Sequence, residues 1–316
     1  MKKLQLCMAA GLVAITVVGC SRKAPAIKGV YPLVEIAKSV YVLRGPNELP
    51  NRQNQGFEGN SGFIVAPRGV IVVDPGSSVQ VGELLLGKIR SVTSEPVIGI
   101  FDTSVRGDHW LGNQAIRAAY PRVVIYADAH MMAKAPAEGK RWIARLNRLT
   151  DGAVKGTQIV TPDLAVEAGD TLALGGWHFV VFHPALAATD NDIMLEVREA
   201  KAIFLGDVVL AQRAADPDEG SLQGNMSAID SALKSDAVYF VPGHGDPGGR
   251  EVALTYRAYL AALSNSVARC RQSGMDEQAM RPVVYKDLQP YHAWVTFNEG
   301  LAGLIHRASL ENSNSS

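Results

Sequence analysis

The chain alternates short apolar runs with amphipathic stretches over most of its length. Val34–Leu43 and Gly62–Val73, rich in Val and Ile, predict strands. Between them Arg44–Asn60 is dense in Asn, Gln, Gly and Pro and predicts a long exposed loop. The turn Asp74-Pro75-Gly76-Ser77 stops the second strand, and Val81, Leu84, Leu85 and Ile89 then recur at helical spacing within Ser78–Val92. Pro96–Phe101 predicts a strand, followed by the polar loop Asp102–Asp108, a helix over 109–119 and a strand at Val123–Tyr126. Ala127–Thr157 predicts helix with a mobile polar stretch at Ala135–Lys140. Strands return at Leu172–Leu174, His178–His183, Ile193–Val197 and Ala202–Phe204. A loop, Ala211–Asn225, precedes a helix over 226–234, and Val238–Val241 runs into Pro242-Gly243-His244-Gly245. From Glu251 to about Leu301 the pattern is mainly helical, and Glu311–Ser316 is a polar tail expected to be flexible. No repeat appears and no linker divides the body, which predicts one layered α/β unit.

The N-terminus has a different pattern. Lys2 and Lys3 precede an apolar run, Leu4–Val18, which at about fifteen residues is shorter than the roughly 20 that a membrane span needs. The run ends in Val17-Val18-Gly19-Cys20, which resembles the lipobox of bacterial lipoproteins. The resemblance implies a signal peptide over 1–19, lipidation at Cys20, a linker over 20–30 and a body over 31–310. It also implies a cell-envelope lipoprotein; Ser21, where Asp would signal otherwise, implies the periplasmic face of the outer membrane. The alternative is an ordinary secretory signal that contains a cysteine. With Cys7 removed and Cys20 lipidated, Cys270 has no partner for an intrachain disulfide. Its place in an apolar-periodic helix predicts a buried core residue.

Charge narrows the partners. Lys and Arg number 31 against 31 Asp and Glu, so no global field attracts nucleic acid. Aromatic residues at 7% argue against a stacking platform for single strands, while 47% hydrophobic residues suit a packed globular body. The expected partners are the membrane through the anchor at Cys20, a small-molecule ligand or substrate, and a periplasmic protein.

Four metal-ligating side chains fall at predicted strand ends: Asp108, His109, Asp207 and His244. Strands hold such groups rigidly while loops give access, and carboxylate with imidazole suits Zn²⁺, Mn²⁺ or Fe²⁺. Each has a plain structural reading alone: a helix N-cap at Asp108, a turn at Gly206-Asp207, a tight loop at His244. The four in this order point to a metal site.

Asp74-Pro75-Gly76, Phe204-Leu205-Gly206-Asp207 and Pro242-Gly243-His244-Gly245 resemble, in order, three motifs of the metallo-β-lactamase superfamily. The resemblance covers roughly residues 33–250 and implies an αββα sandwich, two mixed sheets flanked by helices. It is strongest to periplasmic zinc-hydrolase-like proteins found with quinoprotein systems, whose central motif runs Asn-Thr-His-x-His-x-Asp-His-x-Leu-Gly-Asn. Here the segment is Asp102-Thr103-Ser104-Val105-Arg106-Gly107-Asp108-His109-Trp110-Leu111-Gly112-Asn113. The resemblance places Ser104, Arg106 and Ala188 where the superfamily has the three histidines of its first metal site. It leaves the second site complete, with Asp108, His109 and His244 as ligands and Asp207 as the carboxylate that normally bridges two metals. Arg106 then stands where a divalent ion was held, able to pair bidentately with Asp207, or else turned to solvent.

Two functions follow. One is a lipid-anchored, non-catalytic binding component. The other is a hydrolase of an ester, thioester, lactone or lactam, with one zinc ion at most and Asp108, Arg106 and Asp207 as its catalytic groups. His183 could reach the site from a strand end; His130, His178, His292 and His306 are expected to be packed or solvated. Ser61 and Ser227 lack the Gly-x-Ser-x-Gly context of a nucleophile elbow, and no Gly-rich phosphate loop is present.

Overall fold

Alternating apolar positions in the N-terminal half form a sheet of seven strands that follow one another in chain order. They are β1 (Leu33–Ala37), β2 (Val40–Arg44), β3 (Asn60–Ala66), β4 (Gly69–Val73), β5 (Val97–Phe101), β6 (Val124–Ala127) and β7 (Leu164–Ala165). The first four pair antiparallel, and β4 to β7 pair parallel across helical crossovers. A second sheet takes β8 (Thr171–Leu174), β9 (Trp177–Phe182), β10 (Met194–Val197), β11 (Ala202–Phe204) and β12 (Tyr239–Val241) in the order β12-β11-β10-β9-β8. It is antiparallel except for the parallel pair β11 and β12. The structure, a computed structural model, describes residues 25–216 and 220–313. The expected signal peptide, Cys20 and the start of the linker lie outside the described residues.

The helices are α1 (Val79–Val92), α2 (Gly107–Trp110), α3 (Asn113–Ala119), α4 (Ala129–Leu149), α5 (Leu222–Ala232), α6 (Arg250–Gln272), α7 (Glu277–Asp287) and α8 (Phe297–Ser313). Strand β4 shows how the layers arise. It is buried on both faces, and its side chains alternate. Ile71 and Val73 point into the layer between the sheets, where they share a cluster with Phe101, Phe179, Leu195 and Phe204. Val70 and Val72 point the other way, against Leu85 and Ile89 of α1 and Ile116 of α3. The far face of the second sheet packs Met194, Ile203 and Phe240 against α5 to α8. The result is the expected αββα sandwich of two mixed sheets flanked by helices.

Several local expectations are corrected. Val34–Leu43 is not one strand: Ser39 takes a φ of 62°, and the chain folds back as the hairpin β1–β2. The helix expected over 109–119 is two, because the Gly112 amide leaves the helical path to bond the Gly76 carbonyl at 2.7 Å. Ala135–Lys140 is not a mobile stretch. It lies inside the continuous α4, with Ala135 buried in one cluster with Trp110 and Met131. The tail expected from residue 311 remains helical to Ser313, and the Glu311 carboxylate accepts from the amides of Leu222 and Gln223 at 2.8 and 3.0 Å. It thereby caps the start of α5. Cys270 is buried in α6, as expected, and is unpaired with another cysteine. Among the described residues, no helix is long and apolar enough to cross a membrane.

Phe101 is fully buried between the sheets, 5.1 Å from the Tyr126 ring and 5.9 Å from Phe179. Phe101→Ala is expected to cost roughly 3–5 kcal/mol of stability, read as a lowered denaturation midpoint with an unchanged slope.

Candidate metal centre

The C-terminal ends of β5, β11 and β12 meet at one edge of the sandwich. From β5 the chain enters α2, which carries Asp108 and His109; after β11 a 3-10 turn at Gly206–Val208 carries Asp207; and His244 follows β12. All four side chains are buried and converge. His244 Nε2 lies 3.0 Å from Asp108 Oδ2 and 3.4 Å from Asp207 Oδ1, and His109 Nε2 lies 3.2 Å from the same Asp207 oxygen. Asp108, His109 and His244 each offer one ligand atom, all within 4.8 Å of one another. Asp207 stands beside this trio with one oxygen toward the imidazoles and the other toward Arg106.

The atoms that meet here fit a cation better than they fit each other. Among the described residues, His109 Nε2 and Asp207 Oδ1, which face each other at 3.2 Å, are both buried without a hydrogen-bond partner. His109 and Asp207 are close enough to bond but not aligned to do so. Buried polar atoms left in this state are costly, and one ion at their common focus would satisfy them together.

Outer contacts aim both imidazoles. His109 Nδ1 lies 2.9 Å from Asp74 Oδ2 and 3.1 Å from Thr103 Oγ1. Asp74 also accepts from the Thr103 amide at 2.8 Å and from its hydroxyl at 2.7 Å. With its hydroxyl proton so used, Thr103 can only accept, and the Nδ1 proton of His109 points at oxygen. His244 Nδ1 in turn donates to the Glu58 carbonyl at 3.1 Å. Each ring therefore presents Nε2 inward, the orientation that carboxylates and carbonyls impose on metal-binding histidines. Asp74 holds its place at a φ of 52°, in the turn after β4.

The loop carrying His244 is clamped from the start of β3. The Asn60 side-chain amide donates to the carbonyls of Pro242 and Gly245 at 2.9 and 2.8 Å. Only glycine fits at 243, because a Cβ there would lie 2.4 Å from Asp207 Oδ1. The Glu58 carboxylate is held by buried Arg213 at 3.0 Å, which also donates to the Glu48 carbonyl at 2.6 Å and so ties the segment before β3 to the segment after Leu210, the two lip loops of the site.

The charges are strongly coupled. Burial alone would raise the Asp108 pKa, but His109 and His244 outweigh it and bring it to about 2. Burial likewise opposes ionisation of Asp207, yet His109, His244 and Arg106 hold it well below the usual carboxylate range. Burial would lower His109, but Asp207, Asp74 and Asp108 raise it well above the ordinary imidazole value. Asp102, directly after β5, is raised mainly by burial, against the hydrogen bond that Asn113 donates to it at 2.7 Å.

Where the first histidine set would stand, Ser104 is fully buried and Ala188 shares a cavity of about 30 Å³ with Arg106, Asp207 and Tyr256. Arg106 points inward, with 16% of its side chain exposed. Its contact with Asp207 is not the bidentate pair expected: one nitrogen, Nε, approaches Asp207 Oδ2 at 3.6 Å, and Nη2 makes the shorter pair with Asp216 at 2.9 Å. His183 does not reach the centre; its Nδ1 lies 2.8 Å from the Asp192 carbonyl and its Nε2 3.5 Å from Asp128. Sequence reasoning did not assign roles to Asp74, Glu58, Arg213 or Asp216. Only Asp74 carried a local signal, its position in a turn after an apolar strand. A pocket of about 290 Å³ opens over the centre, lined in part by Arg106, Trp142, Arg145, Arg213 and Glu299.

The raised His109 pKa makes the metal-free protein pH-dependent. The folded state binds this proton more tightly than the unfolded chain, so the contribution is full below the unfolded value near 6.5 and is lost as pH rises through the higher folded pKa. Thermal unfolding in chelator is expected to show falling stability from pH 7 upward, and His109→Gln to flatten that decline.

The profile of the metallo-beta-lactamase superfamily matches residues 54–244. Among solved structures, the fold is similar to a stereoselective inverting sec-alkylsulfatase from a Pseudomonas species, with a TM-score of 0.69 and 14% identity, over 89% of this chain and 50% of that one. This chain thus spans about half the length of the alkylsulfatase. It is also similar to a metallo-beta-lactamase from Pontibacter korlensis, with a TM-score of 0.59 and 18% identity, over 73% of this chain and 99% of that one. No curated protein matches the sequence. The matched segment contains every residue of the convergent cluster, from Asp74 to His244, and the chain belongs to the metallo-beta-lactamase superfamily.

Proposed function

We propose that the protein is a mononuclear, zinc-dependent hydrolase acting on an ester, thioester, lactone or lactam. The observation that carries this reading is the pair of inward Nε2 atoms, His109 aimed by Asp74 and His244 by the Glu58 carbonyl, converging on Asp108 beneath an open pocket. Two imidazoles and one carboxylate at the floor of a pocket are a donor set that would suit zinc. When bound, such an ion supplies Lewis acidity toward water and toward a substrate carbonyl.

The remaining work falls to the chain's own groups. Asp207 stays ionised and, lying beside both imidazoles, can orient a water in the pocket by accepting its hydrogen bond. Arg106 lines the same pocket and presents a fixed positive charge to the oxygen on which negative charge develops. Asp216 holds that guanidinium in place at 2.9 Å. The proposal keeps the protein at the periplasmic face of the outer membrane, tethered through Cys20, on the support of the apolar run that ends in Gly19-Cys20. A second reading, a non-catalytic binding component, draws on the same Arg106: its contacts with Asp216 and Asp207 place a permanent cation where a metal would otherwise be needed.

Metal analysis separates the two. Protein purified without chelator is expected to carry close to one zinc per chain, and His244→Ala to lose it. Metal-free wild type with unimpaired folding would favour the binding component. In the hydrolase, Arg106→Ala is expected to lower kcat about 100-fold on a responsive ester or lactam, with zinc content unchanged; an unchanged kcat removes Arg106 from the chemistry.

A further inference from the structure

The pocket over the metal centre continues past Arg106. A groove of about 490 Å³ runs along α4, and Arg106, Trp142, Arg145 and Asp216 line both spaces. Trp142 marks their junction: a Cβ on Gly107 would come 2.6 Å from Trp142 Cβ, so this ring rests on the residue just before Asp108.

The groove is basic in a chain whose formal net charge is zero. Arginines 106, 141, 145 and 148 line it against Glu138 and Asp216. Arg141 is paired with Glu138 at 2.7 Å and Arg106 with Asp216 at 2.9 Å. Arg145 and Arg148 form no ion pair among the described residues, and both are exposed. The i, i+4 and i+7 spacing of Arg141, Arg145 and Arg148 puts them on one face of α4. Arg145 is further ordered, its guanidinium carbon lying 5.0 Å from the centroid of the Trp142 ring. Stacking of this kind fixes the guanidinium plane while leaving its in-plane N–H fork available to an oxyanion.

We propose that Arg145, stacked on Trp142, determines specificity by binding a terminal oxyanion, carboxylate or sulfate, of a substrate whose apolar body crosses Trp142 toward the metal centre. Arg148, nearly a turn further along α4, adds a second cation. The assignment of the reacting end rests on the hydrolase reading above; the binding of the anionic end does not.

The test uses the full-chain protein as purified. Titration of tryptophan fluorescence with benzoate, phenyl sulfate and neutral benzamide reads the anion site directly. Benzoate or phenyl sulfate is expected to bind at least tenfold more tightly than benzamide, and whichever anion binds better identifies the preferred group. Arg145→Ala is expected to weaken that anion about tenfold, the scale of one charge-assisted contact, and Arg145→Lys to weaken it less. The distant Arg90→Ala should leave it unchanged, and 0.5 M salt should weaken it. A second arm compares 4-acetoxybenzoate with phenyl acetate. In wild type the carboxylate ester should show the lower KM, and in Arg145→Ala that advantage should vanish with kcat retained. If neither ester is cleaved yet Arg145→Ala weakens the anion, an aryl ester is excluded as the reacting end and the anion site stands; zinc content, as above, decides the hydrolase reading. An anion affinity that changes less than twofold in Arg145→Ala overturns it.

Discussion

Asp74, Asp108 and Asp207 are buried at one edge of the sandwich, and a low-dielectric interior does not hold three carboxylates close together without positive charge. The local architecture answers that constraint. His109 and His244 sit among the acids, Arg106 reaches in from the side, and the strands end where these groups can meet. The supporting contacts have the same purpose. Asp74 bonds Thr103 and aims His109, while Asn60 fastens the loop of His244 to the start of β3. The cluster is also close to satisfaction without being satisfied, since several inward atoms find no hydrogen-bond partner among the described residues. That residual demand distinguishes a cation site from a finished salt-bridge network.

Arg106 changes what such a centre can do. The Arg106 guanidinium, 3.6 Å from Asp207, offers a single, permanent positive charge. Asp207 is left facing two imidazoles on one side and an arginine on the other. The walls of the pocket depend on more than the matched family segment. Glu299 lines it from α8, and Ala214 and Val295 join the lip loop to that C-terminal layer by a backbone bond of 2.9 Å. The helices after residue 244 thus take part in shaping the entrance as well as covering the second sheet.

Much of this arrangement was legible in the linear order of residues. Short continuous apolar runs such as Val70–Val73 and Ala202–Phe204 marked the strands, and Asp108, His109, Asp207 and His244 stood out because reactive side chains followed predicted strands. Their mutual distances were not legible, because they depend on two sheets stacking so that β5, β11 and β12 end together. The same holds for Asp216 and Arg213, which lie in a loop whose composition says nothing of where it folds. The mistaken expectation at Ala135–Lys140 has a related cause: its polar residues face solvent while Ala135 and its apolar neighbours pack on Trp110, and composition averaged over a helix hides which face is buried.

By itself, the sequence determined the mixed α/β class and most of the elements, which follow from local periodicity, while the layering and the absence of first-site histidines were implied by its resemblance to a known superfamily. The tertiary structure decided which atoms of those residues meet. It turned Arg106 inward to Asp207 and Asp216, gave each imidazole its outer partner, and set Arg145 on Trp142 at the mouth of the site. Such choices rest on contacts between segments as many as about two hundred residues apart in the chain, and no local pattern encodes the angle at which two sheets pack.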